Sequence, residues 1–463
     1  MSRPCFLLAL LLWVGQAAAQ GVALPDNLSR VQLDNGIVLI LSEKHDVPLI
    51  GLRATLRGGA VTDAAGKAGL ASLLGGLLEK GAGDRDAAAF AETIAAAGGS
   101  LSVSAELESL SVAAEFLARD ADLMVELVAD MLQRPKLDSG EMRRLRDRRI
   151  NLIRAAKDGD PRRLIATYGK ALLFGEHPYG NAINGDENSL QGISHRDVLA
   201  YYKNFVGADR LIIAVVGDFD TATMTESLTA AFSAWRPAAA ALPELAAPVP
   251  ATGRRVLLID KPGATQSYFW IGNVGVAANF PQRAELDIAN TLFGGRFTSL
   301  LMTELRTSAG LTYDARSELT RASLPGSVAI VSSTDTASTV AAIDMALALL
   351  TRIHDQSFSD DMISSGKNYV LGQFPMELET APQLASLFAD LEVLGLDASY
   401  IENYGGAVAS VVGEELRSVI DAVYPETDNL VFAIIGDAEL VRDEVAKYGP
   451  VTEIAITEAR FRP

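Results

Sequence analysis

The feature that most constrains this chain is that it repeats itself. Arg210–Asp218 reads RLIIAVVGD and Asn429–Asp437 reads NLVFAIIGD, so an apolar, β-rich run ending in Gly-Asp recurs 219 residues later. Such a run bounded by a turn signal reads as a buried strand. A second pair keeps nearly the same offset. KLDSGEM, ending at Met142, and SFSDDM, ending at Met362, each precede a charged helical pattern, 220 residues apart. Two agreeing offsets imply a tandem duplication, and therefore two halves built on one plan. Between them lies RPAAAALPELAAPVPATG, residues 236–253, with four prolines and seven alanines, which reads as an extended linker. The halves are placed at 20–235 and 254–463.

Each half mixes strands with helices. In the first, Arg30–Asp34 and Ile37–Ser42 flank Asn35-Gly36, a strong hairpin signal. Leu49–Arg57, Leu101–Ala105 and Ser109–Phe116 read as strands. Ala68–Lys80 carries Leu70, Leu74 and Leu77 at helical spacing, and Asp86–Ala97 continues as a helix that stops at Gly98-Gly99. Ala121–Leu132, Ser139–Ala156, Pro161–Leu173 and His195–Phe205 are the other expected helices, the last with Ser194 as its N-cap. The fold class expected is α+β, with two homologous sandwich domains of mixed sheet and helices.

The first nineteen residues stand apart. Arg3 precedes an unbroken apolar run from Cys5 to Val14, and Ala17-Ala18-Ala19 supplies small residues for cleavage. That is the pattern of a secretory signal peptide, cut near Ala19, and it implies a periplasmic or secreted protein. No later stretch is expected to be long and apolar enough for a transmembrane helix. The net charge of −18 argues against a nucleic-acid partner, which would need a basic face. Cys5 is the sole cysteine, so there is no disulfide and no multi-thiolate metal site. The four histidines are read as structural or solvated: His177 in a turn before Pro178, His195 and His354 at helix ends, and His45 in a polar loop.

Several pieces occur in a telling order: Ala68-Gly-Leu-Ala71 opening a helix, Gly81 closing it, His177-Pro-Tyr-Gly180, the Val-Val-Gly-Asp of 215–218, and Glu304-Leu-Arg306 followed by Gly310-Leu-Thr-Tyr313. Together they resemble the insulinase/pitrilysin zinc metallopeptidases, the inverzincins, and within them the mitochondrial-processing-peptidase-like bacterial branch. The resemblance covers nearly the whole chain after the leader and implies a clamshell of two related domains.

The family's chemistry rests on H-x-x-E-H, in which two histidines one helical turn apart bind zinc and the glutamate activates water. A third ligand follows 77 residues after the second histidine. In this sequence the two histidine positions are Ser72 and Gly76, the general-base position is Gly75, and the third-ligand position is Ile153. All four functional groups are absent, so no metal is expected on this chain. The family's C-terminal arginine and tyrosine, seven residues apart, are kept as Arg306 and Tyr313. The resemblance assigns them to substrate binding and transition-state stabilisation. It thus implies a non-catalytic subunit of a heterodimeric zinc peptidase. The partner would be a homologous H-x-x-E-H chain carrying the zinc, and the substrates unstructured peptides. The alternatives are a scaffold or peptide-binding protein of the same fold, and a stand-alone zinc peptidase with an unrecognised site.

Overall fold

The structure is a computed structural model that describes residues 27–463; the signal-peptide reading falls outside the described residues. Two six-stranded sheets organise the chain. Given in the same sense, the first runs 100–105, 109–117, 49–57, 211–217, 38–43, 29–32. The second runs 315–319, 327–335, 266–274, 431–436, 255–260, 451–455. Five of the six strands correspond position by position. In each sheet the strand of the repeated Gly-Asp run lies parallel to one neighbour: 211–217 beside 38–43, and 431–436 beside 255–260.

The sixth strand breaks the correspondence. Ser29–Gln32 joins the first sheet antiparallel, as the far arm of the Asn35-Gly36 hairpin. Val451–Ala455 joins the second sheet parallel, arriving from the C-terminus. The duplication therefore covers the body of each sheet and not its last edge.

The helices of the first half that matter here are α1 (Leu70–Leu78), α2 (Ala87–Ala96), α3 (Ala121–Gln133), α4 (Ser139–Gly159) and α5 (Ile165–Phe174). They lie close to the ranges the sequence suggests, except that Pro161–Arg163 forms a separate 3-10 turn before α5. Asp86 caps α2, Asp138 caps α4 and Ser194 caps the His195–Phe205 helix, each through its side-chain oxygen.

The halves are interlocked. Residues Leu39, Leu41, Ile50, Leu52, Ile213 and Val215 of the first sheet pack with α1, α3 and their neighbours in one core. The opposite face, Val38, Ile40, Ile212, Ala214 and Val216, packs in a second core with the Ala381–Leu394 helix of the other half. Reciprocally, α5 covers Leu257, Ile259, Trp270, Val431, Ala433 and Ile435 of the second sheet. Each sheet is thus a middle layer, which explains why every residue of 211–217 and 431–436 is buried.

Two glycines set the closeness of these crossings. A Cβ on Gly51 would lie 2.5 Å from the backbone nitrogen of Pro382, and a Cβ on Gly169 would lie 2.4 Å from the Trp270 ring. The C-terminal tail also crosses over. Phe461 packs edge-on against Tyr168, Lys157 donates to the Glu458 carbonyl, and Arg462 donates to the Gly175 carbonyl at 2.7 Å. Arg30 holds Glu392 in a bidentate ion pair at 2.9 and 3.0 Å.

Residues 236–253 have no regular secondary structure, but they are tied down. Ala238 N–H donates to Asp209, and Arg210 donates to the Ala240 carbonyl. One expectation needs correcting. The helical stretch Thr336–Asp355 is long and apolar enough by composition to cross a membrane. Its Ala342, Ile343, Ala346, Leu349, Leu350 and Ile353 are buried in the core of the second half, so it serves as a core helix of the folded domain.

Candidate functional site

The segment aligned with the zinc motif is α1. Its N-terminus is held by Asp63, whose carboxylate accepts the N–H groups of Gly69 and Ala71, both at 2.8 Å. Helical spacing puts residues 72 and 76 on one face, and α4 lies against that face. A Cβ on Gly76 would lie 2.6 Å from Leu145 Cδ2 and 3.3 Å from Arg149 Nη2 of α4. Gly75 points elsewhere: its Cβ would meet Leu110 and Val103 of the first sheet at 3.0 and 3.2 Å. Glycine at both positions lets α1 approach the sheet and α4 at once, which offsets a helix cost of about 1 kcal/mol each.

Into this junction reaches Arg149. Its Nη2 donates to the Ser72 carbonyl at 2.7 Å, while Nη1 is buried and has no hydrogen-bond partner among the described residues. Burial lowers its pKa to about 10, so the guanidinium stays charged at neutral pH. The Ser72 hydroxyl donates to Asn184 Oδ1 at 2.7 Å. Ile153, one turn beyond Arg149, lines a cavity of about 1010 Å³ between the halves together with Arg149 and Asn184. The structure therefore gathers Ser72, Gly76 and Ile153 around one junction, with Gly75 turned to the sheet.

Arg149 and Asn184 were not singled out by sequence reasoning. Arg149 sits in the basic run RRLRDRR of α4, where nothing local separates a buried arginine from its solvated neighbours. The one available signal was its spacing, four residues before position 153.

Arg306 and Tyr313 lie elsewhere. Arg306 is on a π-helical turn, Met302–Ser308, whose Met302 and Leu305 are buried. A second π-helical turn, Thr291–Gly295, precedes it, and such turns recur at functional sites. The Arg306 guanidinium is sandwiched between two rings, 4.6 Å from the Tyr313 centroid and 4.8 Å from that of Phe297. Tyr313 is 80% exposed and Phe297 67%. Neither Arg306 nor Tyr313 lines the cavity between the halves.

Residues 38–187 match the family described as insulinase, peptidase family M16, and residues 192–370 match the peptidase M16 inactive domain. The chain belongs to the M16 peptidase family. Among curated proteins it is similar to an uncharacterized zinc protease of Mycobacterium leprae, 26% identical over 294 residues, 63% of this chain and 65% of the relative. An uncharacterized zinc protease of Mycobacterium tuberculosis is 28% identical over 266 residues, 56% of this chain and 60% of the relative. These alignments span under two-thirds of either relative. The non-peptidase homolog YmxG of Helicobacter pylori is 22% identical over 441 residues, 93% of this chain and 98% of that one. The fold matches the peptidase M16 inactive domain of Pseudomonas fluorescens, at TM-score 0.81 and 19% identity, covering 89% of this chain and 98% of that one. It also matches the Escherichia coli periplasmic protease PqqL, at TM-score 0.75 and 13% identity, covering 90% of this chain and 46% of that one.

The residues of this M16 chain do not fit zinc. Of the four motif positions only Ser72 carries a heteroatom in its side chain, and that hydroxyl is engaged by Asn184. Arg149 adds a positive charge where a cation would have to sit. Among the described residues no three His, Cys, Asp or Glu side chains come together as a metal site. The histidines are spent on local contacts. His177 accepts the Tyr179 N–H through Nδ1 in its turn, and His195 Nε2 lies 2.6 Å from the Leu137 carbonyl. His45 is held by Asp218 at 2.7 Å, and His354 by Asp421 at 3.1 Å.

Proposed function

We propose that this M16 chain is the non-catalytic subunit of a heterodimeric zinc peptidase, acting after export to the periplasm and cleavage near Ala19. The partner would be a homologous chain with an intact H-x-x-E-H motif, and the zinc would belong to that partner. The observation that carries the reading is the Arg306–Tyr313 pair: the two side chains meet through a cation–π contact, with Tyr313 exposed and Arg306 half-buried between its two rings.

In the assembled pair, Tyr313 O–H would donate to the substrate carbonyl oxygen as it gains charge. Arg306, a planar donor with several N–H groups, would hold backbone carbonyls of an extended peptide. Phe297 stacks on the other face of that guanidinium and restricts its orientation.

The test is co-expression with an M16 chain of the same genome that carries H-x-x-E-H, followed by co-purification and peptide hydrolysis. A stable pair whose hydrolysis depends on both chains is expected. Full activity of the zinc-bearing chain alone, unchanged by this one, would overturn the reading. A stable pair without any hydrolysis would favour the scaffold instead.

A further inference from the structure

The cavity between the halves has a property that the two-chain reading does not use. It encloses about 1010 Å³, the size of a small-molecule or short-peptide site, and part of its wall is apolar: Leu152, Ile153, Phe174, Leu394 and Phe461. Most of its charged groups other than Arg149 have partners in the wall or just behind it. Glu108 accepts the Tyr179 hydroxyl and the Ser323 N–H, Lys170 pairs with Glu318, and Arg321 pairs with Asp287. Asp390 faces Arg53.

Arg53 makes no ion pair among the described residues and has a buried nitrogen without a hydrogen-bond partner, and the least answered of these groups is Arg149, whose one influencing carboxylate, Glu79, lies beyond ion-pair distance. Arg149 makes no ion pair among the described residues, spends one nitrogen on the Ser72 carbonyl, and leaves Nη1 without an acceptor. A cation held largely out of water and beyond ion-pair distance of any carboxylate is costly, and an anion placed beside it lowers that cost. Asn184 lines the same wall; its Oδ1 takes the Ser72 hydroxyl, which leaves its amide nitrogen available as a donor.

We propose that this cavity binds an organic carboxylate with an apolar body, using the Arg149 guanidinium and the Asn184 amide as its donors. One guanidinium and one neutral amide offer a single positive charge and a few N–H groups, which suits a monoanion. The apolar wall fixes the rest of the ligand's character. The same chemistry is presented by the C-terminus of a hydrophobic peptide and by a fatty acid. The site needs no second subunit, so it stands or falls apart from the heterodimer.

The test uses the full processed chain alone, titrated by calorimetry with N-acetyl-leucyl-phenylalanine, with its C-terminal amide, and with octanoate. At least one of the two acids should bind, and the amide should bind at least ~10-fold more weakly than the peptide acid if that acid is the better ligand. Tighter binding of the peptide acid identifies peptide C-termini as the source, and tighter binding of octanoate identifies fatty acids. Arg149→Met should abolish acid binding without lowering the melting temperature, and Arg149→Lys should retain part of it. Failure of both acids to bind would overturn the proposal. So would equal affinity for acid and amide in the wild type, or undiminished acid binding in Arg149→Met.

Discussion

Replacing Gly51 with alanine tests the interlocking of the halves at its narrowest point. The added Cβ would lie 2.5 Å from Pro382 N, 2.8 Å from Ala381 C and 2.8 Å from Pro382 Cα. All three are backbone atoms, so no side chain can swing away, and the Ala381–Leu394 helix must withdraw by about 1 Å to restore ordinary contact. A gap of that size forfeits a quarter to a half of each dispersion well it opens. The helix buries Leu384, Ala385, Phe388, Ala389 and Leu391 through this contact layer. Overpacking of this kind costs about 1–3 kcal/mol. Lower unfolded-chain entropy at alanine returns about 0.5 kcal/mol, leaving a net loss of about 0.5–2.5 kcal/mol.

The assay is urea unfolding followed by Trp fluorescence in a Trp235→Phe background, which removes the tryptophan packed on the first half, with circular dichroism reporting on the whole chain. Trp270 is buried in the second sheet, so its signal reports on the half that does not contain Gly51. Gly51→Ala should move the Trp270 transition to lower urea, because the sheets share their covering helices. Gly372→Ala, in the Asp360–Gln373 helix with nothing within 4 Å of its Cβ, is the control. It should be neutral or stabilising by up to about 1 kcal/mol. An unchanged midpoint in Gly51→Ala would refute the close-approach argument. A shifted first transition with an unmoved Trp270 signal would refute the interlocking.

Three further outcomes are expected. In the reconstituted pair, Tyr313→Phe should lower kcat by ~10²–10³ and Arg306→Ala should raise KM, with melting temperatures unchanged because Tyr313 is exposed; peptide kinetics on the two variants check this. Restoring the motif by Ser72→His, Gly75→Glu, Gly76→His and Ile153→Glu should give weak zinc binding by calorimetry. Adding Arg149→Ala should strengthen it, because a guanidinium within about 5 Å opposes a divalent cation by several kcal/mol even at an effective dielectric of 20. Lys157→Met should destabilise the chain by about 2–4 kcal/mol at pH 7.5, since Lys157 Nζ is 2.9 Å from buried Glu187, which keeps only Arg154 as partner. Burial pushes the Glu187 carboxyl up, but Lys157 and Arg154 outweigh it and hold it below the ordinary 4.5. The stability this pair contributes is therefore present above pH ~4.5 and lost as pH falls through the lowered pKa, so wild type and variant should converge in thermal melts toward pH 3.

Much of the fold could be read locally. Asn35-Gly36 marks the hairpin, and the matched runs ending at Asp218 and Asp437 mark the two central strands. Their unbroken apolarity also says that both faces are covered, although it cannot say by what. The exchanged helices were out of reach because α5 and Ala381–Leu394 have ordinary amphipathic patterns that any apolar face would accept. The last edge strand, Val451–Ala455, escaped because it has no counterpart in the duplication. At the site, the loss of ligands at Ser72, Gly75, Gly76 and Ile153 was legible by position. That Arg149 takes up the vacated space was not, because its burial depends on α1 and α4 meeting across 77 residues of sequence.

The exchange of covering helices also has a temporal side. The first sheet is complete once residue 217 has been synthesised, yet the helix that shields its second face begins only at Ala381. At 5–20 residues per second, roughly ten to thirty seconds of synthesis separate Val38, Ile40, Ile212 and Val216 from the helix that covers them. The N-terminal half therefore cannot cover both faces of its own sheet, and the C-terminal half completes its partner's fold as well as its own.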